Sequence, residues 1–443
     1  MSLLLGALLL IWPALLNGYP LVFSDTGAFL ALTVEGWPVW DKPPAYGLAL
    51  RAFSLGIGLW GPALAQGLLL SWLLRLVQRG FLGEADAGRH LLLCAGLAAG
   101  TAAPWFTALL LPDILTPALV LSIALLGFAG ERLSVVERLG LQALAAFTMA
   151  AHPSHLPLGM ALLVPVLALR RPVLRCALPL GVALGLVMAG NLALHGRPAL
   201  SPFGAVFPLA RLVADGPAAR IIAARCPASG WELCRWVGQL PRDSDEFLWS
   251  RTGPVWSPRG DGALPGGPIS LAPEANAILA ETLLREPFGV LRAALANGWA
   301  QLWRDRVGDV LGPEHLAASV GRQLGLGFPT AEGARFAAGL QAVGQLPMAA
   351  APFLLVHPVV LLCGAAGALL GGWRAWRAGD RALLGLVVGV LVGVLANALV
   401  TGALSGPHDR YGARIAWLLP LAALLALRPA PKQAAGAASR LQV

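Results

Sequence analysis

The chain has 443 residues, of which 57% are hydrophobic and only 12% charged, with a mean hydropathy of +0.70. Soluble domains carry about a quarter of their residues as charges, so an ordinary soluble enzyme is excluded, and so is disorder, which needs low hydrophobicity. The net charge of +9 comes from basic residues scattered at the ends of apolar runs, with no Lys/Arg block interleaved with aromatics, so it reads as membrane topology rather than nucleic-acid binding.

The continuous apolar runs at 91–130 and 382–404 lack the alternation of an outer-membrane barrel. The expected fold class is therefore an all-α polytopic membrane protein. A span needs about 20 apolar residues, fewer where an end is buried in protein. In chain order the candidates are 3–16, 45–74, 90–103, 106–129, 139–151, 156–169, 173–194, 348–372, 382–402 and 412–427, about 10 transmembrane helices. The third to sixth form two pairs, split by Pro104-Trp105 and by His152-Pro153-Ser154-His155, and 139–169 is short for two full crossings. Arg75, Arg79, Arg89, Arg132, Arg138, Arg170, Arg171, Arg175, Arg374, Arg377 and Arg381 fall on one side, with Arg428, Lys432 and Arg440 in the tail. The opposite short loops hold little beyond Lys42 and Arg410, with Arg51 and Arg414 close by. Ten spans place both termini on the basic side, which the positive-inside rule makes the cytoplasm. The N-terminus has no basic leader and no small-x-small site before Asn17, and reads as an uncleaved first span.

This gives an N-terminal set of spans over 1–194 with an outer loop at 17–45, an extracytoplasmic insertion at 195–347, C-terminal spans over 348–427 and a cytoplasmic tail at 428–443. Within the insertion, Ser270–Ser319 has apolar residues at helical spacing, with Trp299 and Trp303 four apart, as in an amphipathic helix lying on a membrane. Cys226 and Cys234 fall in this outer segment and suit a disulfide closing a short loop. Cys94, Cys176 and Cys363 lie inside apolar runs as small hydrophobes, and no cysteine spacing suggests a metal. No internal repeat is visible.

The polar residues that stand out are few. Asp25 follows the first span by a few residues, flanked by Phe23 and Phe29, and suits either a partly desolvated general base or, within Ser24-Asp25-Thr26, the cap of a helix running to Val34. Asp113, after Pro112 in the apolar run 106–120, is expensive unless it faces a polar cavity or bonds a neighbouring helix. Ser405-Gly-Pro-His408-Asp409-Arg410-Tyr411-Gly-Ala-Arg414 sets two arginines between the ninth and tenth spans, where a planar guanidinium can grip phosphate or simply pair with Asp409. His152 and His155 can stabilise a phosphate or relay a proton; as a metal pair they lack an identified third ligand.

In order along the chain, Phe23-Ser24-Asp25-Thr26, Asp41-Lys42-Pro43-Pro44-Ala45-Tyr46, Pro112-Asp113-Ile114-Leu115, and Arg410-Tyr411 with Trp417-Leu418-Leu419-Pro420 form a pattern. It resembles that of the GT-C membrane glycosyltransferases, in particular the protein O-mannosyltransferase and aminoarabinose–lipid A transferase superfamily. The likeness covers about 1–200 and 348–427. Many relatives have Asp-Glu in the first loop, whereas here Thr26 follows Asp25; Glu35 and Asp41 are candidate substitutes for the second carboxylate. The resemblance implies a GT-C-like bundle with an outer-face domain and inverting transfer of a sugar from a polyprenyl-phosphate donor to an envelope lipid, glycan or protein. Asp25 would act as base, or Asp41 in its place, and Asp113 would orient the acceptor or the lysine. Lys42, Arg410 and Arg414 would bind the leaving phosphate with Tyr46, Tyr411 and His152 or His155 nearby. It implies no certain cofactor, leaves a divalent metal open, and places the chain in an inner membrane with its site facing out. The competing classes are a transporter or flippase for a lipid-phosphate substrate, which would need polar groups along a path to both faces, and a non-catalytic assembly scaffold.

Overall fold

The computed structural model describes residues 1–83, 86–259 and 265–428, so most of the expected tail at 428–443 lies outside the described residues. The described residues are helical throughout, with no β-strand among them. The N-terminal part comprises α1 (Ser2–Leu10), α2 (Trp12–Asn17), α3 (Ser24–Val34), α4 (Pro44–Ser54), α5 (Trp60–Leu82), α6 (Ala87–Gly100), α7 (Ala103–Ala108), α8 (Leu115–Ala124), α9 (Val135–Ala151), α10 (His155–Ala168) and α11 (Val173–His195). The insertion holds α12 (Val206–Ala214), α13 (Pro217–Arg225), α14 (Ser244–Trp249), α15 (Pro268–Arg285), α16 (Pro287–Leu302), α17 (Arg322–Gly327) and α18 (Thr330–Ala338). After α19 (Leu346–Leu354) come α20 (His357–Arg377), α21 (Arg381–Leu404), α22 (Asp409–Ala416) and α23 (Leu418–Ala426).

Each expected apolar run is helical, but several are broken. The 45–74 run divides at 55–59, where Leu55 takes a left-handed conformation (φ 52°), and its second half continues to Leu82. Arg75 and Arg79, expected in a loop, are therefore within α5. Four helical stretches are long and apolar enough to cross a membrane: Pro112–Arg132, Val173–His195, Leu346–Arg377 and Arg381–Leu404. Their compositions are alike and their placements differ. Pro112–Arg132 is wholly buried, whereas Val173–His195 and Leu346–Arg377 are mostly exposed. A helix that is apolar all round belongs inside protein or in lipid, and this fold uses both solutions.

The buried stretch is the axle of the bundle, with α5, α9, α10 and α21 around it. Small residues on α21 permit the approach: a Cβ on Gly385 would run into the Phe128 ring, and one on Gly393 would lie 2.9 Å from Val120. Close backbone approach through small residues is how helices pack where lipid removes the hydrophobic drive between them.

The 195–347 segment divides between two cores. Phe203, Val206, Leu209, Phe247, Leu271 and Ile278, from α12, α14, α15 and the preceding turn, build a separate core with Val290 of α16 on its edge. Val307, Leu316, Val320, Leu324 and Phe336 instead join the main core alongside Tyr19, Phe29 and Leu30. Trp40 connects the separate core to the first loop, its ring stacked on Phe207 with centroids 5.2 Å apart. The Cys226–Cys234 disulfide is formed and closes the loop after α13.

Candidate functional site

The site arises where four segments meet at one end of the bundle. The first loop runs beside the turn after α7: Leu21 N–H donates to the Ala108 carbonyl at 3.1 Å and Leu110 N–H to the Leu21 carbonyl at 2.9 Å. Thr26 then fixes the start of α3 by accepting from Phe23 N–H at 3.0 Å while donating to the Leu110 carbonyl at 3.0 Å. The helix is thus capped by Thr26, and Asp25 is left free to face the site. The same contacts carry α3 up to Asp113, on the tight turn before α8.

Lys42 enters from the other end of the loop. Pro43 keeps the preceding backbone extended and Pro44 opens α4, so the lysine leaves the chain just before the helix begins. Its Nζ is 2.7 Å from Asp41 and 3.2 Å from Asp25. Arg410 and Arg414, one turn apart on α22, close the cluster. Arg410 lies 3.5 Å from Asp25 and 3.7 Å from Asp113, with its guanidinium over the Phe23 ring at 4.7 Å. Arg414, only 1% exposed, pairs with Asp113 at 3.3 Å and donates to Asn397 Oδ1 at 2.8 Å. Three carboxylates and three cations from four distant segments are therefore interleaved.

Asp113 and Arg414 are buried, and removing one member of a buried pair strands the other at a cost of about 3–5 kcal/mol, whereas Asp25 is 33% exposed and Lys42 and Arg410 are half-buried. Burial works to raise the Asp25 carboxyl, but the charges of Lys42 and Arg410 overcome it and hold Asp25 below the ordinary carboxylate range. Burial likewise opposes the charge on Lys42, and Asp25 and Asp41 more than restore it, raising its ammonium above the usual range. Donor capacity is nevertheless left over. Arg414 Nε is buried without a hydrogen-bond partner, and Arg410 Nη1 reaches no closer than the 3.5 Å ion pair with Asp25; a buried donor left unmet is costly.

The remaining expected residues divide. His155 is fully engaged: its Nδ1 is 2.7 Å from the Thr148 carbonyl, which can only accept, so Nδ1 carries the proton and Nε2 accepts from Thr116 Oγ1 at 2.8 Å. It has no lone pair to offer a metal and no donor for a phosphate. His152 is arranged the other way: its Nδ1 faces Ser154, 2.8 Å from the hydroxyl and 3.3 Å from the N–H, and where Nδ1 accepts both, the neutral ring carries its proton on Nε2. Burial, then His155, Arg414, Arg410 and Lys42, hold that ring neutral by keeping its pKa well below the usual value. Tyr46 is buried and donates to Gln66 at 2.7 Å, which in turn holds the Thr107 and Leu109 carbonyls. Tyr411 supports the arginines, its carbonyl accepting from Asn397 at 2.7 Å and its hydroxyl 3.2 Å from Ser405. Glu35 pairs with Arg322 at 2.6 Å at the far end of α3, so Asp41 is the second first-loop carboxylate in the cluster.

Two contributors had no sequence signal. Asp309 accepts the Arg410 backbone N–H at 2.9 Å, and Gln301 brackets the neighbouring peptide, accepting His408 N–H at 2.9 Å and donating to its carbonyl at 2.8 Å. Both lie in the insertion, where no spacing distinguishes them. Among the described residues no group of three or more His, Cys, Asp or Glu could hold a metal ion. Compared with protein-family models, curated proteins and solved structures, the chain matches none.

Proposed function

We propose that this is an integral membrane glycosyltransferase of GT-C type, with about ten spans in an inner membrane and its site facing the outside. It would move a sugar from a polyprenyl phosphate to an envelope acceptor. The observation that supports this best is the interleaved cluster of Asp25, Asp41, Asp113, Lys42, Arg410 and Arg414, with a donor of Arg414 left over and Arg410 spread over long contacts to two carboxylates. A lipid-linked phosphate needs fixed cations at the membrane edge, and an attacking hydroxyl or amine needs a carboxylate beside them.

In the resting cluster Asp25 is a poor base because two cations hold its charge. An arriving phosphate competes for Lys42 and Arg410 and so raises the basicity of Asp25 at the moment the acceptor is bound. Asp25 then takes the proton from the acceptor O–H or N–H. The bond from that atom to the anomeric carbon forms as the bond from carbon to phosphate oxygen breaks on the opposite face. The electron pair leaves on the phosphate, where Lys42, Arg410 and the His152 Nε2–H receive it, and the configuration inverts. Asp113 positions the two arginines.

Polar groups do not favour a carrier. Asn397 is committed to Arg414 and Tyr411, and Asn191 to the Ala199 and Leu200 carbonyls, so neither marks a path to the opposite end. The deciding experiment is mass spectrometry of envelope lipids and glycans in a deletion strain complemented with wild type or Asp25→Asn at equal abundance. Loss of a sugar-sized mass, restored by wild type and reduced roughly 10²–10⁴-fold in rate by Asp25→Asn, is expected. Full restoration by Asp25→Asn removes it as the base, and an unchanged glycan profile in the deletion moves the flippase ahead.

A further inference from the structure

The insertion carries one helix that behaves like neither a soluble surface nor a core element. Along α16, Phe288, Leu291, Leu295, Trp299 and Trp303 succeed one another at helical spacing, and each is more than half exposed. Just before it, Leu283 and Leu284 of α15 are exposed as well. A row of this kind facing water would be a large apolar patch of the sort that marks a binding surface.

Four contacts locate the row. Gly298 packs against Leu399 near the end of α21, where an added Cβ would lie 3.1 Å from the leucine, and a Cβ on Gly402 would lie 2.6 Å from the Asn297 carbonyl. The carbonyl of Asp305, just beyond α16, is 3.1 Å from His357, the first residue of α20. Gln301 brackets His408. The C-terminal half of α16 is thus fixed at the site-side ends of two of the membrane-crossing helices. Leu395 and Leu399 are exposed on α21, the helix against which α16 packs, and Val359 and Leu362 are exposed on α20. Tryptophans at that level sit where membrane proteins concentrate them, at the boundary of hydrocarbon and headgroup.

We infer that α16 is seated in the bilayer leaflet at the site end, its Phe288–Trp303 row against lipid acyl chains and its Gln301 holding the segment that carries Arg410. This makes α16 a strut between the membrane surface and the candidate site. It rests on the reading of the chain as a membrane protein, and does not require that the reaction be glycosyl transfer. The occupant follows from the packing of α16 on α21: if the chain spans a membrane, lipid covers the exposed Leu395 and Leu399 beside the row.

The test uses the full chain reconstituted in vesicles of neutral phospholipid, with one nitroxide label per protein. The labels replace Leu291, Leu295 or Trp299 in a Cys363→Ser background. Native Cys363, exposed on α20, is the lipid standard, and Gln239→Cys, exposed on the insertion, is the water standard. Collision with oxygen relative to a water-soluble nickel complex is expected to be roughly fivefold or more above the Gln239 value at all three positions, as for an interfacial helix with its apolar face buried. Water-like ratios at all three, with Cys363 lipid-like, overturn the inference and leave the membrane reading intact. A water-like ratio at Cys363 overturns both. If a label destabilises the protein, brominated-lipid quenching compared between wild type and Trp299→Tyr gives an independent reading, and unchanged quenching overturns the seating.

Discussion

Two carboxylate sites lie close to the same first loop and are partnered differently. Glu332, 1% exposed, accepts from the Tyr19 hydroxyl at 2.6 Å and from Leu59 N–H at 2.8 Å, with Arg335 3.6 Å from its other oxygen. Both hydrogen bonds fall on one oxygen and come from neutral groups, and they tie α18 to the loop after α2 and to the start of α5. Asp25 and Asp113 face cations shared among several carboxylates. A carboxylate whose hydrogen bonds go to fixed neutral groups acts as a bolt. Carboxylates that share cations form an arrangement that an incoming anion can rearrange, because each cation has somewhere else to turn its charge.

The sharpest way to break that contrast is to change the geometry of a shared cation while keeping its charge. Arg410→Lys retains a positive group but loses the fork that reaches Asp25, Asp113 and a phosphate at once. Transfer is expected to fall roughly 10²-fold, the effect of removing one preorganised donor from a developing charge, while unfolding in detergent changes little. Initial rates with isolated membranes would show it, and an activity within a factor of about two of wild type would reduce Arg410 to an ordinary ion-pair partner.

The bolt should respond in the opposite way. Glu332→Gln keeps the shape but weakens the charge-assisted bonds from Tyr19 and Leu59, and about 1–3 kcal/mol of stability should be lost. Thermal unfolding in detergent measures this, and transfer per folded molecule should stay unchanged. A fall in turnover without a fall in stability would show that Glu332 belongs with the working cluster.

The smallest effect concerns Asp309, which borders the shared cluster through Arg410. Burial pushes its carboxyl up to about 6, against the lowering effect of the Arg410 N–H and charge and with help from Asp409 and Asp113. An unfolded aspartate titrates near about 4. Its folded value is the higher one, so its contribution to stability is complete below about pH 4 and is lost as pH rises through 6. Asp309→Asn should flatten that part of the melting-temperature profile between pH 4 and 6. Asp25, held low by Lys42 and Arg410, works with the opposite sign: its contribution is present above about pH 4 and is lost only as pH falls further. Parallel wild-type and Asp309→Asn profiles would mean that Asp309 does not titrate in this window.

Much of the architecture was legible because it follows from hydropathy alone. The apolar runs are helices, and the Pro-containing breaks at 104 and 153 fall between helices or at their first turn. The 45–74 run misled because composition carries no mark of the left-handed turn at Leu55. The candidate residues Asp25, Asp41, Lys42, Asp113, Arg410 and Arg414 stood out as charges beside hydrophobic segments, where an unpaired charge is expensive. Tyr46 and His155 stood out equally, yet the structure gives both to internal hydrogen bonds. Type and position alone cannot distinguish a committed polar group from an available one.

The sequence by itself thus determined that the chain is an apolar helical protein suited to a membrane and which charges must find partners there. Tertiary structure decided who those partners are. Asp25 lies 385 residues from Arg410, and their meeting depends on Thr26 binding Leu110, on small residues that let α21 close on the buried axle, and on Gln301 and Asp309 steadying the 408–410 peptide. Helical periodicity and hydropathy are local properties that a sequence displays directly. Which distant charges neutralise one another is settled only when packing brings their helices together.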